Sequence, residues 1–285
     1  MLLASLVILL AGCGVAAPQG VPRPTPQGAT GATATPSSVI LLPTPTTRRV
    51  TPTQGAAVPT LATPTSGSAA PATPSSGPSR VVEYGTSGRR EIALTFDAGA
   101  DRGYAEEILD LLHSEGVPAS FGMMGQWAEA NPDLVGRMVN EGHMLFNHSW
   151  SHPSFTGATT GSAPLTREER LAEVEKNEAV VRALTGYDLR PYFRPPFGDY
   201  DDSVLADLSG AGYGVTLLWS CDSRDSLGAT ADQILANCID QAAPGRIVLL
   251  HVGAQSAASE ALPRIIASLR AQGFAFVTVE DLLQP

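Results

Sequence analysis

The sequence predicts an α/β fold of parallel strands joined by helices, and two observations carry that prediction. From Glu91 onward, short apolar strand-like runs alternate with helix-like segments. Each residue with obvious chemical potential also sits just beyond one of those strands. Asp97 follows Ile92–Phe96, His148 and His152 follow Met144–Asn147, and Arg194 follows Tyr192–Phe193. Asp222 and Asp225 follow Tyr213–Trp219, and His251 follows Ile247–Leu250. In an alternating β/α fold the strand C-terminal ends share one face, where sites are built. Right-handed crossovers favour a parallel barrel or a doubly wound sheet. A barrel gathers residues from five strand ends around one mouth more easily than an open sheet does.

The elements follow in order. Glu91–Phe96 is a strand, and Tyr104–Ser114 is a helix with Ile108, Leu109, Leu111 and Leu112 inward. Ala119–Met123 is the second strand. Asn131 and Pro132 read as an N-cap and a first-turn proline, opening a helix to about Glu141. His143–Asn147 is a strand. Thr166 and Glu169 form a capping box whose helix runs to Thr185. Tyr192–Phe193 is a short strand before a helix over Asp202–Gly210. The strand Tyr213–Leu218 precedes the helix Thr230–Ala242. Ile247–Leu250, a helix around Ala261–Gln272 and the strand Phe274–Thr278 complete seven strands.

The chain before this region is of another kind. Residues 1–80 contain no Asp or Glu, and residues 14–80 hold 13 of the 23 prolines. Such a segment buries too little apolar surface to offset its ordering entropy, so it is expected to be a disordered tether open to O-glycosylation. The folded domain is expected over 81–285, long enough for one sizeable core. It carries 14 Lys/Arg against 28 acidic residues, a net charge of −14. That balance argues against nucleic acid as a partner. The apolar run Leu2–Ala11 is too short to span a bilayer and reads as an export signal. It ends in Leu10, Ala11, Gly12 and Cys13, which resembles the lipobox of bacterial lipoproteins. The resemblance implies a signal over 1–13, a lipid anchor at Cys13 as the membrane contact, and an extracytoplasmic location. It leaves Cys221 and Cys238, which are expected either to pair or to stand as two buried thiols.

His148 and His152, four apart, can place both imidazoles on one cation. Neutral imidazole suits zinc, cobalt or nickel. Two such ligands leave room for a third, a carboxylate, and for a water made acidic by the metal. His113 and His143 read as structural.

Five segments, in order, resemble the polysaccharide deacetylases with a NodB-type domain, carbohydrate esterase family 4. They are Leu94–Gly99, Asn147–His152, Phe193–Gly198, Trp219–Asp225 and Val248–His251, within a resemblance over about 90–283. The resemblance implies a distorted (β/α)7-type barrel and hydrolysis of acetyl groups on a polysaccharide. It implies Asp97 as general base, Arg194 as the partner holding that carboxylate ionised, and His251 as general acid. Asp222 or Asp225 would orient His251, and a backbone N–H near Phe197 would help hold the oxyanion. Tyr192, Phe193 and Phe197 fit a sugar groove and core packing equally, and Trp219 fits a wall.

Two positions depart from the family pattern. A second aspartate, a metal ligand, is expected where Ala98 stands, and alanine cannot ligate. Asp101, in the same loop, is the expected substitute. Ser226 stands where a tryptophan often lines the acetyl pocket. The expected activity is N-deacetylation of peptidoglycan or a chitin-like N-acetylglucosamine polymer. Its rivals are an O-acetyl esterase of the xylan type and a non-catalytic wall-binding lipoprotein, the latter favoured by Ala98.

Overall fold

The computed structural model describes residues 77–85, 88–99 and 101–285. The export signal, Cys13 and nearly all of the expected tether lie outside these residues. Among the described residues no helix is long and apolar enough to cross a membrane.

The central strand is β2, Glu91–Ala98, buried along almost its whole length. A strand covered on both faces reads as a continuous apolar run, as Ile92–Phe96 does. Around it lie β3 (Ser120–Met123), β4 (Met144–Asn147), β5 (Tyr192–Phe193), β6 (Val215–Leu217), β7 (Cys221–Asp222) and β8 (Arg246–His251). A first strand, β1 (Arg80–Val82), pairs with β6. The spatial order is β1-β6-β5-β4-β3-β2-β8-β7, with every neighbouring pair parallel. The sheet curls: the stretch 215–222 pairs with β5 at its start and with β8 at its end. This is the distorted parallel barrel that the resemblance implies, one of the two architectures that the alternation allows.

The helices α1 (Ala105–Glu115), α2 (Gly125–Ala130), α3 (Pro132–Asn140), α4 (Arg167–Thr185), α5 (Asp202–Gly210), α6 (Ala231–Asp240) and α7 (Ala258–Ala271) surround it. Their apolar faces meet the outer strand faces in the main core, through residues such as Ile108, Leu112, Leu134, Val181, Ile234 and Ile265. The capping box at Thr166 is formed, with Glu169 bonding back to the cap. A second box, Thr230 with Gln233, starts α6.

Three expectations change. The stretch 274–278 gives only the two-residue β9 (Ala275–Phe276) along the start of β2, because Thr278 instead caps α8 (Val279–Leu282). Val279 and Leu282 join Val82, Ala93, Met144, Phe146, Leu217 and Ile247 in a second cluster that closes the N-terminal end of the barrel. The strand expected over 213–218 is only the three-residue β6, and a separate strand, β7, follows at Cys221–Asp222, where the chain leaves β5 to reach β8. The domain also begins before Val81. Ser79 N–H bonds Leu205 O (3.0 Å), its hydroxyl bonds Thr216 (2.8 Å), and Ser209 bonds Gly77 O (2.6 Å).

Candidate active site

Parallel pairing brings the strand C-terminal ends to one mouth, opening on a cavity of about 720 Å³. Asp97, His148, His152, Trp219, Asp222 and His251 all line it.

The left wall is built on β2, β4 and β5. Asp97 Oδ1 accepts from Arg194 Nη1 at 2.6 Å. Arg194 is fully buried, donating also to Thr95 Oγ1 (3.0 Å) and to the carbonyls of Leu217 and Leu218 (3.3 Å each), with its guanidinium carbon 4.8 Å from the Phe146 ring centroid. Burial pushes the Asp97 carboxyl up, but the Arg194 charge, then His148 and His251, and last the Arg194 hydrogen bond together hold it below its ordinary range. Gly122 on β3 leaves the space this pair needs. A Cβ there would run into the Phe146 ring and stand 2.9 Å from Asp97 Oδ1.

His148 Nδ1 lies 2.9 Å from Arg194 O. A carbonyl only accepts, so Nδ1 carries the proton and Nε2 presents a lone pair. That Nε2 lies 3.6 Å from Asp97 Oδ2. Burial lowers the pKa of both loop histidines, His152 to about 4, so both are in the neutral, ligating form near neutral pH. Their ring centroids are 4.9 Å apart. Ser149 and His152 both hold left-handed backbone, at φ 64° and 63°. Such residues cost on the order of 1–2 kcal/mol each and need surroundings that enforce them.

The right wall is built on β7 and β8. His251 Nδ1 bonds Asp225 Oδ1 at 2.8 Å, and its backbone N–H bonds Asp225 Oδ2 at 2.7 Å. Asp225 is buried and accepts further from Ser223 (2.8 Å), Ser226 N–H (2.9 Å) and Ser256 (2.6 Å). Burial alone would lower the His251 pKa, but Asp225 raises it above its ordinary value. That shift favours the protonated ring, whose other nitrogen can donate.

The expected site residues sort themselves. Asp97, Arg194, His148, His152 and His251 come together. Of the two candidates behind His251, Asp225 is the partner. Asp222 lines the cavity and accepts from Arg224 N–H (2.8 Å) instead. Asp101 is corrected. Its Oδ1 accepts from Ala254 N–H (2.9 Å), it does not line the cavity, and it braces the loop after His251 instead. Among the described residues no third His, Cys, Asp or Glu completes a three-donor cluster. The histidine pair still fits a divalent cation. Both rings are neutral, and the 3.6 Å gap to Asp97 Oδ2 is too long for a hydrogen bond.

Phe197 belongs to the cavity, with φ 62°, 48% exposure and its ring 4.6 Å from that of His152. Phe193 belongs to the core, and Tyr192 is half-buried against the second cluster. Thr95 and Ser256 contribute without a signal in the sequence, since buried hydroxyls in apolar runs are common. His143 is buried and structural, its Nδ1 accepting from Ala119 N–H at 3.2 Å.

The polysaccharide deacetylase family profile matches residues 84–216. A peptidoglycan-N-acetylglucosamine deacetylase of Bacillus cereus is 33% identical over 203 residues, 70% of each chain. The peptidoglycan-N-acetylmuramic acid deacetylase PdaA of Bacillus subtilis is 34% identical over 202 residues, 70% of this chain and 73% of its own. The structure of PdaA, described as a family 4 carbohydrate esterase, aligns with a TM-score of 0.64, 32% identity, and 71% and 84% of the two chains. A family 4 pseudoenzyme from Bacillus anthracis aligns with a TM-score of 0.65, 25% identity, and 72% and 69% coverage. The same fold thus occurs in named deacetylases and in a pseudoenzyme. This chain belongs to the polysaccharide deacetylase family, carbohydrate esterase family 4.

Proposed function

We propose that the chain is a divalent-metal-dependent N-deacetylase of an extracytoplasmic polysaccharide, either peptidoglycan or a chitin-like N-acetylglucosamine polymer, tethered to the membrane through a lipid on Cys13. One observation carries the catalytic part. A carboxylate paired with Arg194 faces an imidazole paired with Asp225 across a single cavity. Amide hydrolysis needs both groups, one to deprotonate the attacking water and one to protonate the departing nitrogen.

Asp97 Oδ2, the oxygen that Arg194 does not take, is placed to receive the water proton. His148 and His152 would hold the cation. When bound, the ion lowers the pKa of water and polarises the acetyl carbonyl. His251 donates from Nε2 to the leaving amine, while Asp225 holds its ring and balances its charge. Phe197 and Leu227, both exposed at the cavity, offer apolar surface to a sugar ring.

Acetate release from N-acetylglucosamine oligomers, peptidoglycan and acetylated xylan, with zinc, cobalt and nickel added back separately, tests this reading. Release from the first two alone supports it, and release from xylan alone makes the chain an O-acetyl esterase. Ala98 and the outward Asp101 favour a second reading, a non-catalytic wall-binding lipoprotein. No release from any substrate with any metal, together with binding to peptidoglycan, would establish that one.

A further inference from the structure

The loop that carries the two histidines is held from the side by one helix, and the catalytic scheme above makes no use of that helix. Within α4, Glu173 Oε2 accepts from the backbone N–H groups of Trp150 (2.9 Å) and Ser151 (2.8 Å), and its Oε1 accepts from the Ser151 hydroxyl (2.8 Å). Asn177, one turn further on and fully buried, donates through Nδ2 to Met123 O (2.8 Å), Ser149 O (3.0 Å) and Asn147 Oδ1 (3.1 Å). Asn147 Oδ1 in turn accepts from Ser149 N–H at 2.9 Å. The start of α2 holds the other side, with Gly125 N–H on Ser149 O (3.0 Å) and Gln126 N–H on Trp150 O (3.1 Å).

These bonds fall on the three residues between the histidines. Ser149 and His152 are in left-handed backbone, which an unsupported chain of L-residues leaves. Releasing either end rotates the peptide planes that set where each imidazole points. Strand β4 fixes the base of His148 only, and His152 hangs five residues beyond the strand's last residue, Asn147. Glu173 and Asn177 therefore hold the relative placement of the two rings.

We infer that Glu173 and Asn177 are positioning residues for the cation site, acting through the backbone of Ser149, Trp150 and Ser151 to set the separation of the His148 and His152 imidazoles. The inference rests on the reading of that pair as a cation site, so the test begins there. Cobalt is titrated into the metal-stripped full chain, followed by its visible absorption, with zinc competition giving the second affinity. His148→Ala is measured first. If it binds cobalt as the unaltered chain does, the cation reading itself fails.

If binding depends on His148, Glu173→Gln and Glu173→Ala decide the inference. Outer residues that orient ligands typically govern affinity by about 10–100-fold. Glu173→Ala is expected within that range, with an altered cobalt spectrum. Glu173→Gln, which keeps an accepting oxygen, is expected to lose less. The thermal midpoint of the metal-stripped Gln variant should stay close to that of the unaltered chain, because Glu173 is half-exposed and its bonds lie in a loop. Asn177→Asp provides a second variant of similar shape, with the donor replaced by an acceptor facing three oxygens, and it should lose affinity at least as strongly as Glu173→Ala. Cobalt affinity and spectrum unchanged within twofold in both Glu173 variants, with binding still dependent on His148, would overturn the inference and leave the cation reading standing.

Discussion

At the scale of single residues, Asp97 and His251 each face a partner of opposite charge, Arg194 and Asp225. Asp97→Asn or His251→Ala removes a proton acceptor or donor and is expected to lower kcat by about 10²–10⁴-fold, measured as acetate release from purified folded protein. Arg194 is a different case, because it is fully buried against a buried carboxylate. Arg194→Ala leaves that charge uncompensated and is expected to cost about 3–5 kcal/mol in denaturant unfolding, besides activity. Asp225 controls the pH profile. The acid must be protonated, so activity falls as pH rises through the His251 pKa, which Asp225 holds above its ordinary value. In Asp225→Asn the charge is gone and burial dominates, so the basic limb of kcat/KM against pH should move to lower pH. A limb that stays in place would show that another group sets it. The five principal groups were legible because each follows an apolar run. The choice between Asp222 and Asp225 was not legible, since they stand three positions apart after the same run, and only folding shows that Arg224 N–H takes an oxygen of Asp222 while His251 takes one of Asp225.

At the scale of elements, legibility followed length and period. β2 and β8 announce themselves as apolar runs, and α4 by its capping box. β1, β7 and β9 are two or three residues long and exist because a neighbour is there to pair with, which no local pattern records. α2 has six residues, too few for a helical period to show. Asn177 and Glu173 look in sequence like the solvated face of a charged helix, and their role depends on the turn that folds back onto them. The caps admit a direct check. Thr230→Ala opens the capping box of α6, which packs beside the loop holding Asp222 and Asp225, and should cost about 1 kcal/mol in unfolding free energy. Asn237 on the same helix donates to Ser223 O at 2.9 Å, and Cys238 packs against Cys221 with both buried.

At the scale of the whole molecule, the two ends of the folded part meet. β1 and α8 share the second cluster through Val82, Val279 and Leu282, and Gly85 lies against Leu282 so closely that a Cβ there would come within 2.6 Å of its Cγ. A chain beginning at Gly77 should keep full stability. One beginning at Glu83 loses β1, exposes the β6 edge and should melt several degrees lower by calorimetry, since roughly 1 kcal/mol shifts a domain of this size by about 2–4 °C. If the two melt alike, β1 is an ornament on the barrel. Because β1 runs parallel to β6, the strand enters at Arg80 on the floor of the barrel, while the cavity opens at the roof. Under the proposed anchorage, the attachment would therefore join the domain at its closed end, opposite the end through which polymer would reach the cavity.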